Sequence, residues 1–282
     1  MKVIRARVLG YCMGVRRAMD MADAALLVSE SPVYAMGPLI HNPQAMKTLT
    51  DRGLVVLDEE TLPPDLSGAS VIIRAHGITP RLEAALTNSG ATLIDATCPR
   101  VKASQMKVRE LCGTGYRVFL AGEKRHGEII GIQGYAPDCI VAGDPVLAAA
   151  AAEKLFAEEP EARTALLGQT TISPDEYAAI AQAIGRVFPN LHVINTICRA
   201  TGDRQDSLRE LAARVDAVIV VGGRESANTR RLLAIARDKP AWLVESPSDI
   251  PGEITAYNTV GLCAGASTPD GLIDAVEQAL CE

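Results

Sequence analysis

Three cysteines stand in matching places. Cys12 in "VLGYCMGVRRA", Cys98 in "LIDATCPRV" and Cys198 in "VINTICRAT" each follow an apolar-rich run and precede a helical pattern. A cysteine inside an element usually behaves as a small hydrophobe; one on a turn between strand and helix is presented to something. Ligand sites of open α/β sheets lie at the carboxyl ends of the strands, so three such turns would gather three thiols at one centre. Thiolates are soft ligands that select zinc, copper(I) or iron–sulfur clusters. A structural zinc site normally closes with four ligands at short spacings such as C-x2-C, and no such spacing occurs here. Three isolated cysteines fit a [4Fe–4S] cluster, one per chain, with one iron lacking a protein ligand. That iron would be a Lewis acid for a substrate oxygen, and the cluster a source of electrons. The competing account is three cysteines that end strands for packing alone. Cys112, Cys139, Cys263 and Cys281 read as packing residues, with Cys139 or Cys263 the only candidates for a fourth ligand.

Around these turns lie polar residues of the kinds that bind anions and move protons. Three of the four histidines sit at loop signals: His41 in "GPLIHNP", His76 in "RAHGI" and His126 in "EKRHGEI". Histidinium binds phosphate or donates a proton near neutral pH. His192, within "LHVIN", reads as a structural strand residue. "GGRESANTRRL" and "CAGASTPDG" place Ser226, Asn228, Ser267 and Thr268 between a strand and a helix, where backbone N–H groups make a natural anion site. Simple N-capping explains the same residues. Glu128 opens a helix two residues after His126 and could relay protons, although a first-turn glutamate is also favoured by the helix dipole. "GQTTIS" adds Thr170 and Thr171 just past another strand end.

The elements that must position these residues alternate along the chain. Strands are expected at "KVIRARVL", "SVIIRA", "ATLID", "YRVFLAG", "TALLG", "LHVIN", "AVIVVGG" and "TVGLCAG". Helices are expected over 14–28, 99–112, 173–187, 200–213, 225–238 and 270–280, and the alanine-rich run at 147–152 reads as helix. Ser173, Pro174 and Glu176 spell a helix start with a capping box. Uncharged strands alternating with helices imply parallel sheets covered on both faces, hence α/β. The cysteine turns divide the chain into three small α/β units, residues 1–98, 99–197 and 198–282. Among the 282 residues 48% are hydrophobic and 22% charged, an ordinary globular balance. The net charge of −6 offers no basic field for nucleic acid or an anionic membrane, and 4% aromatics leave little for base stacking. No apolar run approaches the ~18 residues of a membrane helix. "MKVIRARVLG" lacks a signal-peptide core, so the expectation is a cytoplasmic chain with reduced thiols or metal ligands.

Taken in order, "GYCMGVRRA", "GPLIHNP", "RAHGITP", "DATCPRV", "HGEIIGIQG", "GQTTIS", "NTICRATGDRQ", "GGRESANTRRL" and "AGASTPD" resemble the 4-hydroxy-3-methylbut-2-enyl diphosphate reductase family, over essentially the whole chain. These are the last enzymes of the methylerythritol phosphate route to isoprenoids. The resemblance implies three α/β units in pseudo-threefold arrangement around a central [4Fe–4S] cluster held by Cys12, Cys98 and Cys198. It implies a diphosphate pocket of His41, His76, His126, Ser226, Asn228 and Ser267. Glu128 would supply protons, and Thr170 would lie near the substrate alcohol, which binds the open iron. Two electrons and protons, from a donor such as ferredoxin or flavodoxin, would remove the hydroxyl as water and leave isopentenyl and dimethylallyl diphosphates. Two positions depart from the family pattern. Gly127 stands where the family usually has proline, loosening the turn before Glu128, and Ala227 replaces a second serine and its phosphate donor. A redox-neutral hydratase or dehydratase also uses an open iron, and a non-catalytic iron–sulfur sensor would share the cysteines; a sensor needs no anion pocket.

Overall fold

A computed structural model describes all 282 residues. It contains strands β1 (Lys2–Arg5), β2 (Val33–Met36), β3 (Val55–Leu57), β4 (Ser70–Ile73), β5 (Thr92–Asp95), β6 (Tyr116–Ala121), β7 (Ile140–Ala142), β8 (Arg163–Gly168), β9 (His192–Ile194), β10 (Ala217–Val221), β11 (Ala241–Val244) and β12 (Thr259–Ala264). The helices are α1 (Met13–Val28), α2 (Pro43–Thr50), α3 (Pro80–Asn88), α4 (Pro99–Gly113), α5 (Gly127–Gln133), α6 (Pro145–Glu158), α7 (Pro174–Gly185), α8 (Arg199–Ala212), α9 (Ala227–Ile235) and α10 (Asp270–Cys281). Prolines open five of these helices at the first or second helical position, where no N–H is needed. Ser173 caps α7 as its sequence predicts, its hydroxyl accepting the Glu176 N–H at 3.1 Å.

The strands form three sheets of four, and every pairing is parallel. The α/β class expected from the sequence is therefore what the chain adopts. The sheet orders are β3-β2-β4-β5, β7-β6-β8-β9 and β11-β10-β12-β1. Each is the same arrangement: second, first, third, fourth. In the last sheet the fourth strand is β1, drawn from the other end of the chain and registered Lys2 to Thr259 through Arg5 to Leu262. The N-terminal strand thus lies in sequence beside the first expected segment and pairs with the last.

The chain divides into two compact units, one of Met1–Met19, Ile40–Arg52 and Arg199–Glu282, the other of Asp20–Leu39 and Gly53–Cys198. In the first, all five residues of β10 are buried. Ala217, Ile219 and Val221 pack on one face with α10, and Val218 and Val220 on the other with α8 and α9. In the second, Phe119 and Leu166 face α6 and α7, while Val118, Leu120, Ala165 and Leu167 face α4 and α5. A sheet covered on both faces cannot alternate apolar with polar. That is why these strands read as unbroken apolar runs, and why their polar chemistry is confined to the loops at their carboxyl ends.

Candidate active site

In each sheet a cysteine follows the fourth strand and stands directly before a helix: Cys98 after β5, Cys198 after β9, Cys12 after β1. Each extends the parallel ladder by one more backbone bond to the loop of the third strand. The Cys98 N–H donates to Ala75 O at 2.9 Å, Cys198 N–H to Thr170 O at 2.8 Å, and Cys12 N–H to Ala266 O at 3.1 Å. Those acceptors adjoin or are themselves expected site residues: Ala75 precedes His76, Ala266 precedes Ser267, and Thr170 is its own. The ladder therefore sets each cysteine beside a polar loop, once per sheet.

In the unit containing residues 53–198, Glu128 is the centre of the polar network. It lies in the first turn of α5 and is 1% exposed. Its Oε1 accepts the Thr170 N–H at 2.7 Å and its Oε2 accepts the Thr170 hydroxyl at 2.8 Å. Thr170 in turn accepts from Cys198, so carboxylate, hydroxyl and thiol-bearing residue form one connected chain. His126 caps α5, its Nδ1 accepting the Glu128 N–H at 3.2 Å. That bond leaves the proton of the neutral ring on Nε2. The His76 ring meets the His126 ring edge-on, with centroids 5.1 Å apart at 87°. Gly77, at φ +73°, closes the turn that carries His76 through its N–H to Arg74 O at 2.9 Å.

Sequence reasoning overlooks Gln169. It is fully buried, its Oε1 accepts the Glu123 N–H at 3.0 Å and its Nε2 donates to the Thr171 hydroxyl at 2.9 Å. It joins the loop before His126 to the loop bearing Thr170. The signal was present in "GQTTIS", where a glutamine directly follows an apolar strand.

The other unit supplies hydrogen-bond donors. Ser226 caps α9, its Oγ accepting the Thr229 N–H at 3.3 Å. Asn228 is 5% exposed and its side-chain nitrogen has no partner. A buried amide donor left unsatisfied costs about 1–3 kcal/mol, which a bound anion would recover. The Ser267 hydroxyl donates to His41 O at 3.2 Å, fixing the loop that leads through the cap residue Asn42 into α2. Gly223 touches the same carbonyl: a Cβ there would lie 2.6 Å from His41 O, so only glycine fits. Ala227 is buried at the first position of α9.

Three of the remaining cysteines belong to the cores; Cys281, expected to be a packing residue, is instead exposed at the last position of α10. Cys263 is fully buried in β12, and burial pushes its thiol up to about 12. Cys112 and Cys139 face each other at 4.0 Å, and burial raises both thiols. Groups held as neutral thiols are poor metal ligands. His192 is exposed on β9 with its ring against Tyr116, outside the network.

Residues 3–281 match the profile of the LytB protein family. The chain belongs to that family. It is 47% identical to 4-hydroxy-3-methylbut-2-enyl diphosphate reductase of Treponema denticola over 296 residues, covering 100% of both chains. It is 38% identical to the enzyme of that name from Aquifex aeolicus, covering 99% of this chain and 97% of that one. The structure of the E-1-hydroxy-2-methyl-but-2-enyl-4-diphosphate reductase from Plasmodium falciparum superposes with a TM-score of 0.90 at 28% identity, over 100% of this chain and 88% of that one. A second reductase structure, of the terminal enzyme of the non-mevalonate pathway, gives 0.72 at 37% identity, over 100% and 99%. Like the relatives it resembles, this LytB-family chain is an oxidoreductase. No helix is long and apolar enough to cross a membrane.

The donor set fits an iron–sulfur cluster. Cys12, Cys98 and Cys198 are half-buried, joined in no disulfide, and held in one repeated backbone setting. Cys112, Cys139 and Cys263 are withdrawn into apolar cores.

Proposed function

We propose that the chain reduces (E)-4-hydroxy-3-methylbut-2-enyl diphosphate to isopentenyl and dimethylallyl diphosphates, taking electrons from a carrier such as ferredoxin or flavodoxin. Two electrons and two protons are consumed: one proton leaves with the C4 hydroxyl as water, the other adds to carbon. Cys12, Cys98 and Cys198 would hold a [4Fe–4S] cluster, which supplies when bound the electrons and a Lewis-acid iron. The observation that carries the reading is the buried Glu128–Thr170 pair, a carboxylate and a hydroxyl at 2.8 Å. Hydroxide is a poor leaving group, so the departing oxygen needs a proton, and Thr170 Oγ1 is the atom through which Glu128 delivers it. Asn228, Ser226, Ser267 and His41 in one unit, and His76 and His126 in the other, serve the diphosphate as hydrogen-bond donors. Loss of Ser at position 227 removes one donor, while the unsatisfied Asn228 amide remains.

The test is an anaerobic assay of the cluster-reconstituted chain with the allylic diphosphate and a reduced carrier. Both products should form with two electrons consumed per turnover. Water gained or lost without electron consumption would establish a dehydratase instead, and absence of any turnover a sensor.

A further inference from the structure

A guanidinium lies against the turns that carry the two histidines of the residue 53–198 unit, with no carboxylate in contact with it. Arg74 follows β4 and begins the turn that carries His76. Its Nε points at Gly77 O from 3.5 Å, and no carboxylate forms an ion pair with it. The only carboxylate whose field reaches it is that of Glu59, and burial lowers its pKa without discharging it. The head group fills the space left by glycines in two separate turns. A Cβ on Gly37 would lie 2.9 Å from Nη1, and a Cβ on Gly127 would lie 3.1 Å from Nη2 and 3.2 Å from Cζ. Gly77 adjoins His76 and Gly127 adjoins His126, so one cation braces the backbones of both imidazole-bearing turns. A half-buried charge with no carboxylate in contact and one long bond to a carbonyl is unfavourable in the ligand-free protein. The same charge becomes favourable when an anion arrives beside the histidines.

We propose that Arg74 is an anion-positioning residue for the diphosphate group, acting through the His76 and His126 turns and by its own field, and that Gly127 is glycine here to admit its guanidinium. This rests on the diphosphate reading above.

The experiment measures binding of inorganic pyrophosphate to the cluster-reconstituted chain by calorimetry, at two salt concentrations, for wild type, Arg74→Met, Arg74→Lys, Gly127→Ala and the Arg74→Met/Gly127→Ala double variant. Arg74→Met should weaken binding about tenfold, the order expected of one cation acting on a multiply charged anion through a partly screened interior, and should reduce the salt dependence. Arg74→Lys, which keeps the charge but not the fork, should fall between. Gly127→Ala should weaken binding in the wild-type background and change nothing once Arg74 is methionine, because the two residues act as a coupled pair. The thermal midpoint of ligand-free Arg74→Met should hold or rise, since an uncompensated charge has been removed; a merely structural arginine would lower it. Arg74→Met that binds pyrophosphate like wild type, or loses stability while Arg74→Lys restores stability alone, overturns the proposal and leaves the diphosphate reading intact. Wild type that binds no pyrophosphate overturns the diphosphate reading itself.

Discussion

Glu128→Gln separates the acid from its shape. In the native site both carboxylate oxygens accept hydrogen bonds from Thr170, at 2.7 Å from the N–H and 2.8 Å from the hydroxyl. A glutamine keeps its carbonyl for the N–H but turns an NH2 toward the hydroxyl. The Thr170 proton must then point elsewhere, and no acid remains behind that hydroxyl to resupply a proton it gives up. Charge-assisted bonds contribute about 1.5–3 kcal/mol each against about 0.5–1.5 for neutral ones, so the substitution relaxes the loop's anchorage by roughly 2–3 kcal/mol. Removing a carboxylate that is 1% exposed relieves a desolvation cost of similar size. Stability should therefore stay near that of the wild type.

Activity should not. General acid–base groups contribute about 10²–10⁴-fold, which corresponds to roughly 2.7–5.4 kcal/mol of barrier at 1.36 kcal/mol per decade. The assay is single-turnover reduction of the allylic diphosphate under anaerobic conditions, with iron and sulfide content and pyrophosphate affinity measured on the same sample. Thr170→Ser should retain most turnover and Thr170→Val should lose it, because only serine keeps the hydroxyl. Near wild-type turnover by Glu128→Gln would refute the relay and pass the proton to His126, whose Nε2 carries it in the neutral ring.

Three further outcomes are expected. Cys12→Ala, Cys98→Ala and Cys198→Ala should each impair cluster assembly, while Cys139→Ala and Cys263→Ala retain it; iron and sulfide analysis with Mössbauer spectra decides, and a fourth cysteine ligand in the resting protein would contradict the open iron. Asn228→Ala removes the unsatisfied buried donor and should weaken diphosphate binding about 10- to 150-fold, with unchanged affinity counting against its role. Folding stability should fall as pH rises above 9.0, the ordinary thiol value, because folded Cys263 keeps its proton to about 12 while the unfolded chain has already released it, and the raised thiols of Cys112 and Cys139 add to the same limb; denaturant titrations from pH 8 to 10.5 should show that limb, and Cys263→Ala should make it shallower without abolishing it.

Local pattern reveals an element when burial is uniform along it. β10 and β8 read as unbroken apolar runs because both their faces are covered, and α4, α7, α8 and α10 lie within a few residues of their expected bounds. Strands β2, β3, β7 and β11 are missing from that reading; β3 exposes two of its three residues and so presents no buried run to signal it. The partner of β1 is a different kind of omission. Nothing near residue 2 indicates residue 259, since strand pairing is decided by the edge that remains open after the nearer strands have paired.

The same distinction governs the site. Cys12, Cys98 and Cys198 were legible because a thiol on a strand-to-helix turn is out of place, and three such turns repeat. What each is joined to was not legible: Glu128 and Thr170 are separated by 42 positions and Gln169 and Glu123 by 46. Arg74 reads as the last-but-one residue of the expected strand "SVIIRA" until its surrounding glycines are seen in space. The repeated order of the sheets explains why these long-range contacts recur. A fourth strand that continues its ladder past the end of the third must bring its following residue against the third strand's loop. Placing a cysteine there in every sheet sets a soft ligand beside a polar residue three times over, with the N-terminal strand completing the third case. The cost of this arrangement is that Cys12 depends on β1 holding its place against β12, four paired residues at the edge of a sheet.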